Sequence, residues 1–191
     1  MASVYVLVDR SGSMCDKWDD TTESINAFIA GLSEGTYMHV AVFDSESYDL
    51  VGECLSEDWD YLAWLKYKPR AMTPLYDSCF KIMNQAEQDN DERTTLVIVT
   101  DGFENGSKEI SRSTIKEKLD NWKARGWETV FIGADFEMVG DVSKSIGLDS
   151  NKTLNISAGN YDAAFRGLTA SVTNYALTGA SIDVSDILQG K

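Results

Sequence analysis

Asp9 and Asp101 each closely follow a run of apolar, mostly β-branched residues: Val4 to Val8 reads VYVLV and Leu96 to Val99 reads LVIV. Runs of this kind are strands covered on both faces. If the two strands are neighbours, their carboxylates meet beyond the strand ends, where open α/β sheets bind ligands. Carboxylates brought that close repel each other and need a cation or a shared proton. Ser11 and Ser13 follow Asp9 at alternate positions around Gly12, which allows a tight turn, so their hydroxyls can point to one side. Thr73 offers a further hydroxyl at what reads as a helix start. The set Asp9, Ser11, Ser13, Thr73 and Asp101 is entirely oxygen, which suits one Mg²⁺ or Mn²⁺ and does not suit zinc or copper. With few protein charges around it, such a cation stays electrophilic at its open position, and an acidic side chain of another protein can fill it.

The elements that must position these groups alternate along the chain. Strand patterns cover Val4 to Val8, Met38 to Phe43, Leu96 to Val99, Thr129 to Ala134 and Thr153 to Ile156. Tyr48 to Glu53 reads as a strand in a hairpin with the second. Helical spacing of apolar residues is found at Thr21 to Leu32, Asp58 to Tyr67, Ser111 to Ala124, Phe136 to Ile146 and Tyr161 to Leu177. Thr73-Pro74 reads as an N-cap followed by proline at the first helical position, opening a helix that carries Leu75, Cys79, Ile82, Met83 and Ala86. Strand and helix in alternation predict an α/β fold: a Rossmann-like, doubly wound, mainly parallel central sheet with one antiparallel edge strand and helices on both faces. We expect one domain over residues 1–178 and a loosely held tail over 179–191.

Taken together, three segments resemble a known family. Asp9-x-Ser11-x-Ser13 after the first strand, the distant Thr73, and Thr100-Asp101-Gly102 after a middle strand are similar to the metal-ion-dependent adhesion site of von Willebrand A (vWA) domains. Thr73-Pro74-Leu75-Tyr76-Asp77 resembles the family's helix start. Thr100 to Asn105 and Val130 to Asp135 resemble small stand-alone bacterial and phage members. The likeness runs from about residue 3 to about residue 177. It implies a Rossmann-like sheet, a bound Mg²⁺ or Mn²⁺, and protein binding without chemistry. Gly12, Asp77, Gly102, Glu104 and Asp44 lie close enough in sequence to these motifs to support the site or touch a partner. Plainer roles stand beside these: a capped turn for Asp9-x-Ser11, helix capping for Thr73, a turn for Asp44.

Little in the sequence serves catalysis. His39 is the only histidine and falls inside a strand, so no Ser-His pair presents itself. Gly102 to Lys108 lacks the spacing of a phosphate-binding loop, and Asp9-x-Ser11 lacks the second aspartate of an aspartyl-phosphate phosphatase. A metal-dependent hydrolase with Glu104 as base remains an alternative, as does a scaffold subunit whose metal only stabilises it. The 191 residues include 31 acidic and 17 basic ones, for a formal charge of −14. That surface argues against nucleic acid and anionic membranes as partners, and self-association is left open. Cys15, Cys54 and Cys79 form neither a disulfide framework nor a zinc site, and Cys15 reads as a buried, inert thiol. No signal peptide or membrane-length apolar stretch stands out, so a cytoplasmic location is expected.

Overall fold

Strand β1 (Ala2–Asp9) is buried from Ser3 to Asp9 and splits its side chains between two cores. Val4, Val6 and Val8 face one core and Tyr5 and Leu7 the other, as the period of two requires. β4 (Arg93–Thr100) repeats the division, with Val97 and Val99 on one side and Leu96 and Ile98 on the other. A strand can be apolar on both faces only where helices cover both. Here α1 (Trp18–Ala30) and α5 (Tyr161–Thr178) cover the first face. α2 (Leu75–Asp89), α3 (Arg112–Ala124) and α4 (Val139–Ser145) cover the second. This computed structural model describes residues 2–134 and 139–188.

The remaining strands are β2 (Tyr37–Phe43), β3 (Tyr48–Leu55), β5 (Glu128–Ala134) and β6 (Thr153–Ile156). The six strands lie in the order β3-β2-β1-β4-β5-β6. All pairs are parallel except β2 with β3, a hairpin whose outer strand is partly exposed. The doubly wound sheet with one antiparallel edge is therefore as expected. The strand order reverses between β1 and β4, which run in register with Val8 opposite Val99. Asp9 and Asp101 thus leave the sheet side by side at the switch point.

Three expectations need correction. Asp58 to Tyr67 is not an α-helix. The segment makes short 3-10 turns at Ser56–Asp58 and Ala63–Lys66. The cause is Asn26 on α1, whose Oδ1 accepts from the indole N–H groups of both Trp59 and Trp64, each at 2.8 Å. Residues five apart on an α-helix point about 140° away from each other and could not both reach it. Second, the described part of the stretch after Gly179, up to residue 188, is docked. Ile182 and Val184 are fully buried in the first core, and the Val184 N–H donates to the Asn151 carbonyl at 2.8 Å. Third, α2 begins at Leu75 with Pro74 at the N-cap, so Thr73 stands outside the helix and does not cap it. The expected helix from Phe136 begins, within the described residues, at Val139. Phe136 and Asp135 lie outside them.

Candidate metal site

Asp9 ends β1 fully buried. Its Oδ1 accepts from the Ser11 N–H at 2.7 Å and its Oδ2 from the Thr100 hydroxyl at 2.6 Å. Burial is the main reason that the Asp9 carboxyl is pushed up to about 6. The hydrogen bonds from Thr100 and Ser11 oppose that rise and the charge of Asp101 adds to it. The Ser11 and Ser13 hydroxyls lie 3.1 Å apart, and Ser13 Oγ donates to Asp101 Oδ1 at 2.6 Å. One continuous set of hydrogen bonds therefore runs from Thr100 through Asp9, Ser11 and Ser13 to Asp101. Asp101 is the outer end, and its Oδ2 accepts from Lys17 Nζ at 2.9 Å.

Thr73 arrives from another part of the chain. A Cβ added to Gly102 would lie 4.0 Å from the Thr73 hydroxyl, so the Thr73 side chain sits beside the Asp101 loop. Asn105 fixes it there. The Asn105 side-chain oxygen accepts from the Thr73 N–H at 2.8 Å, and the Asn105 N–H donates to the Thr73 carbonyl at 3.1 Å. The preceding residues are laced to the first loop: Arg70 N–H to the Arg10 carbonyl at 2.8 Å, and Gly12 N–H to the Ala71 carbonyl at 3.1 Å. Ala71 adopts a left-handed φ of 60°, the local distortion that lets the chain turn toward Thr73. Gly12 itself is not in a left-handed turn. It starts the 3-10 turn Gly12–Lys17, and its role is the contact with Ala71.

The other residues near these motifs are occupied structurally. Glu104 accepts from the N–H groups of Tyr76, Gly106 and Ser107 and from the Ser107 hydroxyl, at 2.6 to 2.9 Å. It thereby ties its loop to the first turn of α2. Asp77 accepts from the N–H groups of Lys108, Glu109 and Ile110. Neither carboxylate is a solvated group waiting to orient a water. Asp44 is more than a turn residue. Its Oδ1 takes the N–H groups of Glu46 and Ser47, while its Oδ2 takes Arg10 Nη2 at 2.7 Å and Arg70 Nε at 3.0 Å. Arg10 also pairs with Asp49 at 2.8 Å, so this cluster, buried at Arg10 and Asp44 and partly exposed at Asp49 and Arg70, joins β1, the β2–β3 hairpin and the Thr73 approach.

Sequence reasoning gave no role at the site to Thr100 and Asn105, which it quoted only within motifs, or to Lys17 and Arg10. The only local signals were a threonine at the last strand position and a lysine one turn beyond Ser13. Cys15, read as buried, is exposed, because the 3-10 turn carries it outward. His39 is buried mid-strand and stacked on Tyr5, and burial lowers its pKa.

The donor set fits a hard divalent cation. Asp9, Ser11, Ser13 and Asp101 are linked to one another and Thr73 stands beside them, all presenting oxygen. Among the described residues no three His, Cys, Asp or Glu side chains group as a metal cage, so a cation at this place depends on the hydroxyls.

An open α/β sheet with oxygen ligands at its switch point defines the class, and comparison with solved structures gives it a narrower name. The chain has the fold of vWA domains. It superposes on the vWF domain of the type V pili tip protein Mfa5 from Porphyromonas gingivalis with a TM-score of 0.73. Identity is 11%, over 90% of this chain and 94% of that one. The SpRpn10 VWA domain matches with a TM-score of 0.62 and 11% identity, over 88% and 95% of the two chains. Proximal thread matrix protein 1 from the mussel byssus, in a structure with a zinc-occupied metal-ion-dependent adhesion motif, matches with a TM-score of 0.65 and 16% identity. That match covers 92% of this chain but only 45% of the other, so this chain spans less than half of it. No family model and no curated protein matches the sequence.

Proposed function

We propose that this chain is a metal-dependent protein-interaction module. Asp9, Ser11, Ser13, Thr73 and Asp101 hold one Mg²⁺ or Mn²⁺, and a partner protein presents an Asp or Glu carboxylate to it. The observation that carries this reading is the unbroken hydrogen-bonded set from Thr100 to Asp101 at the point where strand order reverses. A bound cation supplies an electrophilic point for a carboxylate oxygen. The chain's own groups do the rest. Thr100 holds Asp9 in place, Asn105 holds Thr73, and the Arg10–Asp44–Arg70 cluster fixes the loop between them. The zinc-occupied motif of the mussel protein supports a divalent cation at this kind of site, and it runs against the expectation that such an oxygen set does not suit zinc. A hydrolase reading would need Glu104 as base, and its four hydrogen bonds speak against that. The unpaired thiols of Cys15, Cys54 and Cys79 agree with a reducing, cytoplasmic setting. Among the described residues no helix is long and apolar enough to cross a membrane.

The test is thermal unfolding of wild type and Asp101→Ala in EDTA, Mg²⁺ and Mn²⁺. Asp101 is the choice because its hydrogen-bonding neighbours, Ser13 and Lys17, can turn to water when it is removed. At a hundred times Kd a cation adds about 2.7 kcal/mol, or about 5–10 °C for a chain of this size. A rise in wild type that is missing in Asp101→Ala supports the site. No rise in wild type in either cation overturns it.

A further inference from the structure

Exposed apolar side chains gather in the segment that leads into the candidate metal site. Seven large hydrophobic side chains stand exposed among the described residues. Four of them, Tyr61, Leu62, Leu65 and Met72, belong to the single segment between β3 and α2, and a fifth, Phe103, follows Asp101 by two positions. Leu65 is 75% exposed. This segment is the one whose far end is stitched to the metal loop through Arg70, Ala71 and Thr73.

Between the segment and the start of α1 runs a groove of about 440 Å³, lined by Cys15, Trp18, Trp64, Leu65, Tyr67 and Lys68 among others. That volume falls within the range of about 300–1,000 Å³ typical of ligand clefts. Its floor is aromatic and rigid. Trp18 and Trp64 meet edge to face at 6.2 Å, and Trp64 is locked to Asn26 by its indole N–H. The Arg10 guanidinium lies over the Tyr67 ring at 5.3 Å. The groove meets the metal loop at Cys15, two residues beyond Ser13, and at Pro69, next to Arg70, whose N–H donates to the Arg10 carbonyl. A peptide whose carboxylate is at the metal therefore has neighbouring residues over the groove.

Charge narrows the occupant further. The chain as a whole is strongly acidic, yet from Asp60 to Asp77 it contains no acidic residue between these two and carries Lys66, Lys68 and Arg70. Lys68 lines one wall of the groove and Asp19 the other, with Asp16 and Asp20 adjoining that wall in sequence. Lys17, between Cys15 and Trp18 in sequence, is paired with Asp101. Arg70 is already paired with Asp44 and Glu46, so it is Lys66 and Lys68 that make this wall locally basic on an acidic body, which favours an acidic ligand at short range. Aromatic floors with a charged rim are also where interface energy concentrates.

We infer that this groove and the metal site form one continuous docking surface for a short partner segment carrying an Asp or Glu with a bulky apolar residue a few positions away. The inference rests on the metal-dependent reading above. The carboxylate takes the cation, and the apolar side chain covers Trp18, Trp64 and Tyr67 beside Leu65. Lys68 steers the acidic segment in.

The full chain, immobilised in Mg²⁺ or Mn²⁺, is used to select from a displayed library of random nonapeptides. Enriched peptides are then synthesised with a fluorophore, and their affinity is measured by polarisation against wild type, the Leu65→Asp/Lys68→Glu double variant and Asp101→Ala. Leu65 and Lys68 are exposed, and an unchanged melting temperature shows that the double variant folds. The expected result is enrichment of peptides pairing Asp or Glu with Phe, Trp, Leu or Met, binding lost in EDTA, and affinity about tenfold weaker in the double variant. EDTA-sensitive acidic peptides with no apolar preference and no response to the double variant overturn the groove and leave the metal reading standing. Apolar peptides that bind equally in EDTA and in Asp101→Ala, yet fail on the double variant, overturn the metal reading and the joint surface with it. No enrichment overturns both. A wild-type dimer in sedimentation that the double variant dissolves makes a second copy the occupant and overturns the peptide assignment.

Discussion

Lys17 places its ammonium 2.9 Å from Asp101 Oδ2, on the outermost carboxylate of the candidate cation site. It reaches there because the 3-10 turn Gly12–Lys17 and the start of α1 bring it one turn above Ser13, whose carbonyl it also approaches at 3.4 Å. The side chain of Asp101 is only 2% exposed while that of Lys17 is 23% exposed, so the lysine can swing away without unfolding anything. An attached monovalent cation thus competes for the group that a divalent ion would use.

Removing that competitor should tighten metal binding. A partly exposed ion pair contributes about 0.2–1 kcal/mol, so Lys17→Met should lower the Kd for Mn²⁺ by up to about fivefold. Titration calorimetry of both proteins measures it. Weaker binding in Lys17→Met would show instead that the lysine orients Asp101.

Thr100 holds Asp9 from below. Its hydroxyl donates to Asp9 Oδ2 at 2.6 Å and both residues are fully buried. A hydrogen bond to a charged group is worth about 1.5–3 kcal/mol. Thr100→Val should therefore lower the unfolding free energy in urea by about 2 kcal/mol at pH 7. It should also cost metal affinity, since Asp9 becomes harder to keep ionised. A loss below about 0.5 kcal/mol would mean that Asp9 finds another donor.

Asp44 governs acid sensitivity. Burial alone would raise its pKa, but the bonds from Arg70 and the Glu46 and Ser47 N–H groups, with the charge of Arg10, outweigh burial and lower it. A carboxyl lowered in the folded state contributes stability that is present above its ordinary pKa and lost as pH falls through the folded value. Asp44→Asn, which leaves Arg10 and Arg70 short of a partner, should cost about 3 kcal/mol at neutral pH. The difference from wild type should shrink steadily once the pH drops below the ordinary value of 3.8. Urea denaturation across that range tests the sign. A gap that widens toward acid would sink the assignment.

Ile182 tests the docked C-terminal stretch. It is 1% exposed and packs into the first core with Val184. Ile182→Ala should destabilise the domain by about 2–4 kcal/mol. A change near zero would mean that the stretch is held loosely after all.

Much of the architecture was readable from local pattern. The apolar runs at Val4 to Val8 and Leu96 to Val99 announce strands covered on both faces, because only such strands can be apolar at every position. Val4 and Tyr5 do pack into opposite cores. The hydroxyl spacing Ser11-x-Ser13 and the strand-end positions of Asp9 and Asp101 are one-dimensional facts, and parallel neighbouring strands turn them into proximity. Helix α3 was legible to within a residue: Ser111 to Ala124 was expected, and Arg112–Ala124 forms, with Ser111 as the cap that accepts from the Thr114 N–H.

What failed was decided by contacts between distant residues. Trp59 and Trp64 have helical spacing with their neighbours, yet one oxygen of Asn26 draws both indoles and forbids the helix. The sequence could offer Thr73 as a cap because nothing local says that Glu104 and Ser107 serve the first turn of α2 instead. Nothing local in the sequence says that Lys17 meets Asp101. Ile182 and Val184 follow the last helix with no periodic pattern, and only the groove they fill gives them a place. Periodicity records which face of an element is apolar. It carries no information on which partner meets that face, and for this chain the partners set the loop geometry, the surroundings of the candidate metal site and the groove beside α1.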